Sequence, residues 1–269
     1  MILRPLVQRK VTTQNAISAW EAIAESQRTK AATYRLIRQP DHARLAAEFA
    51  ARMMLPSALA LDDDIMHGIA LHDEGWAEFD DGRAPFLFTK AEIVDGHPAA
   101  NPLSFIDIKA GDSVRAWLAS IEAAEGAAPI AGLMVSHHFC RIARHAINME
   151  LYTTEDLQHV YRFTEGQQRR QARLLTLQRR SSDEVQYWTD VLQFADILSL
   201  YLCGGSTRRV HFPPSRATRG QSFLLDFCDG AYVFQPPLFA EELEFSLPAQ
   251  FHPAESRTSE EPVLRWRVH

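Results

Sequence analysis

The chain has few cysteines, no long hydrophobic run and no excess of basic residues. Its three cysteines, Cys140, Cys203 and Cys228, are odd in number and widely spaced, which argues against a disulfide framework and favours free thiols in a reducing compartment. No run of about 18 apolar residues occurs, and the first thirty residues lack the apolar core of a signal peptide. We therefore expect a cytoplasmic protein that has no membrane partner.

The charge balance argues against nucleic acid as a partner. The 28 Lys and Arg residues are outnumbered by 34 Asp and Glu residues, which gives a net charge of −6. The 269 residues, 46% of them hydrophobic, suit one large domain or a domain with an appendage, and such a chain buries a core without disulfides. These numbers leave the oligomeric state open, and a homo-oligomer is compatible with them.

Helical periodicity dominates the chain up to about residue 205. Apolar residues recur at intervals of three and four in several segments, as expected for amphipathic helices. Ser181 and Glu184 form the pattern of a capping box, which predicts a helix from there to Gly204–Gly205. The segments with this periodicity are "HARLAAEFAARMM", "SALALDDDIMHGIALHDEGW", "DSVRAWLASIEAA", "PIAGLMVSHHFCRIARHAI", "TEDLQHVYRFTEGQQRRQARLLTLQRR" and "SSDEVQYWTDVLQFADILSLYLC".

Two regions before residue 205 depart from this helical pattern. The segment "ATYRLIRQPDH" (32–42) predicts a short strand that leads into a helix capped by Asp41. Residues 80–108 are rich in Gly, Pro and Asp, which predicts a long irregular loop that could act as a lid over a functional site. In that loop, Phe86, Phe88 and Phe105 are candidates to shape a pocket or simply to anchor the loop.

After residue 205 the pattern favours strands. "SFLLDF" and "AYVFQ" flank the turn residues Asp229–Gly230 and predict a hairpin, and "LEFSLPAQF" and "VLRWRVH" predict two more strands. The sequence therefore predicts a mainly α protein with a short N-terminal strand. Residues 1–205 form its helical domain, and residues 206–269 form a small β-rich appendage packed on it, so that both make one compact unit.

Histidine and aspartate residues recur on the apolar faces of the predicted helices. Asp196 is the most informative of these residues, because an ionised carboxylate inside an apolar helix costs several kcal/mol unless a cation or hydrogen-bond donors compensate for it. A buried Arg or Tyr could donate to it, and a single histidine on an apolar face is more often a core residue than a metal ligand. The residues in question are His42, His72, Asp73, His137, His138 and Asp196.

Together these imidazoles and carboxylates favour a divalent transition metal, as one or two ions of Fe, Mn, Zn, Co or Ni. Neighbours in a helix point about 100° apart, so a single ion takes only one of His137 and His138. His67 has poor spacing relative to His72 and is not expected to be a ligand, whereas His97 in the long loop could reach the site.

The order of these residues along the chain, H, then HD, then H or HH, then D, resembles that of the HD-domain superfamily of metal-dependent phosphohydrolases. The resemblance implies an HD-domain-like helical bundle. In it His42, His72, Asp73 and Asp196 hold one metal, while His137 and His138 serve a second metal or the substrate phosphate. Residues 32–205 also resemble a small bacterial HD-like family of unknown function. The segments that carry this second resemblance are "LIRQPDHARLAAEFA", "IALHDEGWAEFDD", "NPLSFIDI" and "VSHHFCRI".

One departure from the superfamily concerns the general acid or base. Several nucleotide-cleaving relatives carry a glutamate a few residues after the HD pair, but Trp76 stands three residues after Asp73. Glu74 and Glu78 are nearby acids without that spacing, and Glu74 is retained as a candidate catalytic residue. This departure puts the nucleotide-hydrolase role in particular in doubt.

Three functions are compatible with the sequence. The first is a metal-dependent hydrolase of a phosphorylated small molecule, either a phosphomonoester or a phosphodiester, with metal-activated water as nucleophile, and Asp73 bridging the metals if there are two. Arg141 is the best candidate to stabilise phosphoryl charge, because it lies one helical turn after His137 and His138. The other cationic candidates are Arg44, Arg83, Lys90 and Arg144. The second function is an HD-type di-iron oxygenase, and the third is a non-catalytic module that binds a metal or a metabolite.

Overall fold

A computed structural model describes most of the chain. It covers residues 1–7, 15–54, 61–81, 91–94, 97–100, 102–149, 151–252 and 263–269, the two stretches within 91–100 as backbone only. Of the expected functional residues, Arg83, Phe86, Phe88, Lys90 and the side chain of His97 lie outside this description.

The helices follow the periodicity of the sequence closely, and the predicted capping box of Ser181 and Glu184 is confirmed at the start of the last helix. The α-helices are α1 (Ala19–Arg28), α2 (Gln39–Arg52), α3 (Asp63–Ala70), α4 (Ala77–Asp80), α5 (Ala110–Ala127), α6 (Pro129–Asn148), α7 (Thr154–Leu177) and α8 (Ser182–Cys203). Short 3-10 helices span Glu74–Trp76 and Phe105–Asp107. No helix in the described part of the chain is both long and apolar enough to cross a membrane.

The start of α2 corrects the expected cap. The N-cap is Arg38, and Asp41 lies inside the first turn. Pro40 explains the shift, because proline is favoured in the first helical turn, where its missing N–H costs nothing. The carboxylate that serves this end is remote in sequence, since Asp80 Oδ2 accepts the backbone N–H of Gln39 at 2.5 Å.

The strands are more numerous than the sequence predicts. They are β1 (Ile2–Pro5), β2 (Ile17–Ser18), β3 (Tyr34–Ile37), β4 (Ala91–Val94), β5 (His97–Ala100), β6 (Val210–Phe212), β7 (Phe223–Cys228), β8 (Ala231–Gln235), β9 (Leu243–Pro248), β10 (Gln250–His252) and β11 (Val263–Val268). Within the expected irregular loop 80–108, β4 and β5 pair as an antiparallel hairpin. The described chain is therefore rich in helices but has a sizeable sheet content.

The largest sheet has six strands in the order β2-β6-β7-β8-β11-β9, and a second sheet has the order β1-β3-β10. The predicted hairpin of β7 and β8 is confirmed, and Asp229 and Gly230 both have positive φ angles, as a tight hairpin turn requires. β2 pairs in parallel with β6, and β3 pairs with both β1 and β10. Both sheets thus join strands from either side of residue 205, and the expected boundary there stays a prediction.

Helix α8 is the centre of the hydrophobic core. It packs against α1, α2, α3 and α6, and residues as large as Trp188 and Tyr201 are fully buried on it. Full burial of a side chain such as Leu192 or Leu198 contributes about 1.5–3 kcal/mol relative to leaving it in water. The helix that carries Asp196 is therefore fixed on several sides by apolar packing.

We expect Asp80→Ala to lower the free energy of unfolding by about 1–3 kcal/mol, because the N–H of Gln39 would lose its buried acceptor. Urea unfolding followed by circular dichroism measures this change. The neighbouring substitution Asp81→Ala is the matched control. It removes a half-exposed ion pair with Arg38, and its expected effect is below about 1 kcal/mol. Equal losses for the two variants would contradict the role of Asp80.

Candidate metal centre

Four helical segments bring imidazoles and carboxylates to one buried point. His42 comes from α2, His72 and Asp73 from the turn after α3, His138 from α6 and Asp196 from α8. All five side chains are buried. Donor atoms of His42, His72 and Asp196 lie within 4.8 Å of one another, and this group could hold a metal ion.

His42 is held from both sides of its ring. Its Nε2 lies 2.7 Å from Asp73 Oδ2, and its Nδ1 lies 2.8 Å from the hydroxyl of Ser199. That hydroxyl donates its own proton to the carbonyl of Asp196 at 2.8 Å, so it accepts from His42. The Nδ1 of His42 therefore carries a proton, and its Nε2 is the atom that faces the centre.

His72 is oriented in the same way by a backbone group. Its Nδ1 lies 2.7 Å from the carbonyl oxygen of Ile69, which can only accept, so this nitrogen also carries a proton. Its Nε2 lies 3.3 Å from Asp196 Oδ1 and 3.8 Å from Asp73 Oδ2. Partners behind the ring that fix the tautomer are typical of metal-ligating histidines.

Because the Nδ1 atoms of His42 and His72 carry the protons, the centre needs a cation. With Nδ1 protonated, a neutral imidazole presents an Nε2 lone pair, and the lone pairs of His42 and His72 point at the oxygens of Asp73 and Asp196. Acceptors this close repel one another unless a second proton or a metal ion lies between them. Two imidazole nitrogens and two carboxylates suit Zn, Fe, Mn, Co or Ni, so the residues fit a divalent transition metal.

The electrostatics of these side chains agree with this need for positive charge. Burial alone would lower the pKa of His72, but the Asp73 and Asp196 carboxylates outweigh burial and raise this pKa to about 9. Burial alone would raise the pKa of Asp196, but His72, with smaller effects of His138 and His42, lowers it to about 2. The centre thus favours a negative Asp196 beside a positive His72.

The structure distinguishes the two adjacent histidines of α6. His138 is buried, its Nε2 lies 3.6 Å from Asp196 Oδ2, and its Nδ1 has no hydrogen-bond partner within the described residues. Burial lowers the pKa of His138 to about 4, so the ring is neutral at pH 7. His137 is only half-buried and faces Arg141 and Arg144. His138 is therefore the member of the pair that joins the centre.

The remaining expected site residues lie around the centre. Arg141 donates to Asp190, Gln193 and Gln186 of α8, which ties its guanidinium to that helix. Glu74 is half-buried, and its carboxylate accepts from Arg44 at 3.5 Å. Of the remaining candidate residues, Trp76 is buried in the core, His67 and Arg144 are exposed, and Phe105 is half-buried against the core.

Ser199 is a residue of the centre that the sequence analysis missed. It lies three residues after Asp196 on α8, so one helix supplies both a carboxylate and the hydroxyl that holds His42. A serine one turn after a buried aspartate could have pointed to it, because residues three apart share a helix face.

In the metal-free protein, we expect the free energy of unfolding to fall as the pH rises from about 6.5 to 9. The native pKa of His72 is raised, so its contribution is fully present below the unfolded value of 6.5 and is lost as the pH passes about 9. The loss is on the order of 3 kcal/mol, and urea unfolding in chelator at several pH values measures it. Excess zinc is the control: it takes the place of the proton, so the pH dependence should disappear. A metal-free protein with constant stability over this range would contradict the assignment.

The adjacent histidines of α6 allow a matched test of which of them affects metal affinity. We expect His138→Gln to weaken metal binding about 10–100-fold, because it removes the imidazole next to Asp196. His137→Gln should leave the affinity unchanged. Competition with a chromogenic chelator measures both constants, and a larger loss for His137→Gln would reverse the assignment.

The chain was compared with known protein families, curated proteins and solved structures. A protein family of unknown function, DUF3891, matches residues 27–252. No curated protein and no solved structure gives a significant match to the chain. The matched range includes every residue of the metal centre and most of the chain, and the protein therefore belongs to this family of unknown function.

Proposed function

We propose that the protein is a metal-dependent hydrolase of an HD type, which cleaves a phosphomonoester or phosphodiester of a small molecule. One observation supports this proposal. The Nε2 lone pairs of His42 and His72 point towards the carboxylates of Asp73 and Asp196, so that four ligand groups meet at one place. The order of the residues on α2, the end of α3, α6 and α8 supports the likeness to HD domains. Small-molecule substrates suit a centre that is almost closed.

Four residues would hold the metal: His42, His72, Asp73 and Asp196. A bound divalent ion supplies an activated water, because it lowers the pKa of that water towards 7. The role of the protein is to orient the ligands and to exclude bulk water. The imidazole rings of His42 and His72 have no exposed surface, whereas the Asp73 and Asp196 side chains are 10% and 8% exposed. Substrate would therefore approach from the side of the two carboxylates.

Proton transfer has one candidate beside the metal ligands. Glu74 follows Asp73 directly, is half-buried, and is held by the exposed Arg44. It can accept a proton near the centre and pass it to solvent.

Two other functions share the same ligands. An HD-type di-iron oxygenase would need two irons per chain, with His138 among the ligands, and would consume oxygen. A non-catalytic metal or metabolite module is compatible with the core position of Trp76, where related hydrolases carry an acid. Metal analysis followed by oxygen uptake and a panel of phosphate esters separates the three functions.

We expect His72→Ala and Asp73→Ala each to abolish metal retention and phosphate-ester hydrolysis together, because each removes a ligand from the centre. Elemental analysis and a phosphate-release assay measure the two properties. His67→Ala, at an exposed position five residues before His72, is the matched control and should retain both. Hydrolysis that persists in chelator-treated protein, or in either ligand variant, would rule out the proposed mechanism.

A further inference from the structure

Beside the metal centre, α6 and α8 are joined by a second polar contact. His138 faces Asp196 across the two helices, and one turn further along each helix Arg141 contacts Gln193 at 3.1 Å. Gln193 lies about 4.5 Å along the helix axis from Asp196. The polar surface of α6 and α8 that carries Arg141, Arg144, Gln186 and Gln193, called the groove below, therefore begins about one helical turn from the centre.

Arg141 determines which way two glutamine side chains face. Its guanidinium donates to Gln193 Oε1 at 3.1 Å and to Gln186 Oε1 at 2.8 Å. Arginine has no acceptor, so both amides must present oxygen to it and direct their NH₂ groups elsewhere. Neither amide nitrogen has a hydrogen-bond partner among the described residues. Arg141 thus fixes two donor groups with their N–H bonds free.

These donors share one stripe of α8. Gln186, Asp190, Gln193 and Ile197 are half-buried positions of the helix, and they follow the spacing of a single face. From Gln186 to Gln193 the stripe extends about 10 Å. Gln193 on this stripe lies three residues before Asp196 and so shares part of its helix face, which would bring one end of a ligand lying along the stripe beside the metal centre.

The charge of the groove favours an anion. Asp190 pairs with Arg141 and cancels one positive charge. Arg144, exposed one turn further along α6, uses its Nε on the carbonyl of Cys140 and has no carboxylate partner within the described chain. The groove therefore has a net positive charge together with four free amide N–H bonds, and phosphate oxygens accept strongly from such groups.

We propose that this groove binds a phosphate group of the substrate other than the group that reacts. The substrate would then be a small molecule with two phosphates, one at the metal and one at the amides of Gln186 and Gln193. The hydrolysis of the first phosphate rests on the proposed function. Arg141 acts here as a positioning residue, because it contacts the ligand through the amides that it holds.

The groove can be tested without metal or turnover. Calorimetric titration of the chelator-treated protein with inorganic phosphate should give saturable binding, weakened at least tenfold by Gln193→Leu and by Gln186→Leu. Arg141→Lys keeps the charge but cannot hold both amides, and it should weaken binding to a similar extent. Arg162→Gln, an exposed charge change on α7, is the control and should have no effect.

Two outcomes would overturn the proposal. One is the absence of saturable phosphate binding by the wild-type protein. The other is binding that His72→Ala removes while Gln193→Leu leaves it intact, which would locate the phosphate at the metal centre. Because Gln193 is half-exposed and carries no charge, Gln193→Leu decides the matter even if Arg141→Lys fails to fold.

A kinetic comparison then links the groove to the proposed function. For the metal-loaded protein, the ratio of kcat/KM for propane-1,3-diol bisphosphate to kcat/KM for propyl phosphate should fall about tenfold in Gln193→Leu and stay constant in Arg162→Gln. An unchanged ratio in Gln193→Leu would contradict the groove. Hydrolysis of neither ester would count against the proposed function alone, since the titration is independent of it.

Discussion

The structure around the centre depends on two carboxylates that are buried where little water can reach them. Asp73 and Asp196 lie among the rings of His42, His72 and His138, inside a bundle whose remaining contacts are mostly apolar. Charges in such a place cost several kcal/mol each unless a counter-charge compensates for them. Protons can supply that counter-charge in part, but a divalent ion supplies it more completely and with fixed geometry. The need for a cation thus follows from burial before any reaction is considered.

The same constraint explains why the supporting contacts matter. A cation is held well only if the lone pairs of its ligands point at one place, and here backbone and hydroxyl groups ensure this. The carbonyl of Ile69 fixes the His72 ring, and Ser199 fixes the His42 ring. Asp80 ties the start of α2 to the segment that follows the HD pair. Helix α8 supplies both Asp196 and Ser199, so its tight packing determines the geometry of two ligands at once.

Much of the fold follows from local patterns in the sequence, because helical periodicity, the capping box at Ser181 and the turn at Asp229–Gly230 are local features. The sheet pairings do not. β2 has two residues and pairs with β6 almost 200 residues away, and nothing within either strand specifies the other. The cap of α2 is similar, since Asp80 is 41 residues from Gln39.

The same limit applies to the metal centre. The order of His42, the HD pair and Asp196 along the chain, through its resemblance to HD domains, predicts a common cluster, and the structure brings these residues together. The choice between His137 and His138 depends on the rotation of α6 against α8, which tertiary packing sets. The position of Ser199 one turn after Asp196 can be read from the sequence, but its hydrogen bond to His42 depends on how α2 packs against α8.

The centre and the groove beside it have opposite chemistry, and this contrast bears on the substrate. The centre is made of acceptors and attracts a cation, whereas Arg141, Arg144 and the amides of Gln186 and Gln193 are donors and attract an anion. Under the proposed function, a phosphate ester would satisfy both, with its reacting group at the cation and a second anionic group along α8. A neutral alcohol or a hydrocarbon would offer the donors of the groove no anionic acceptor, and hydrogen bonds to charged acceptors are stronger than those to neutral ones. Under the proposed function, the arrangement therefore favours anionic substrates, because charge pairing acts at the groove as it does at the centre, which could hold a metal ion.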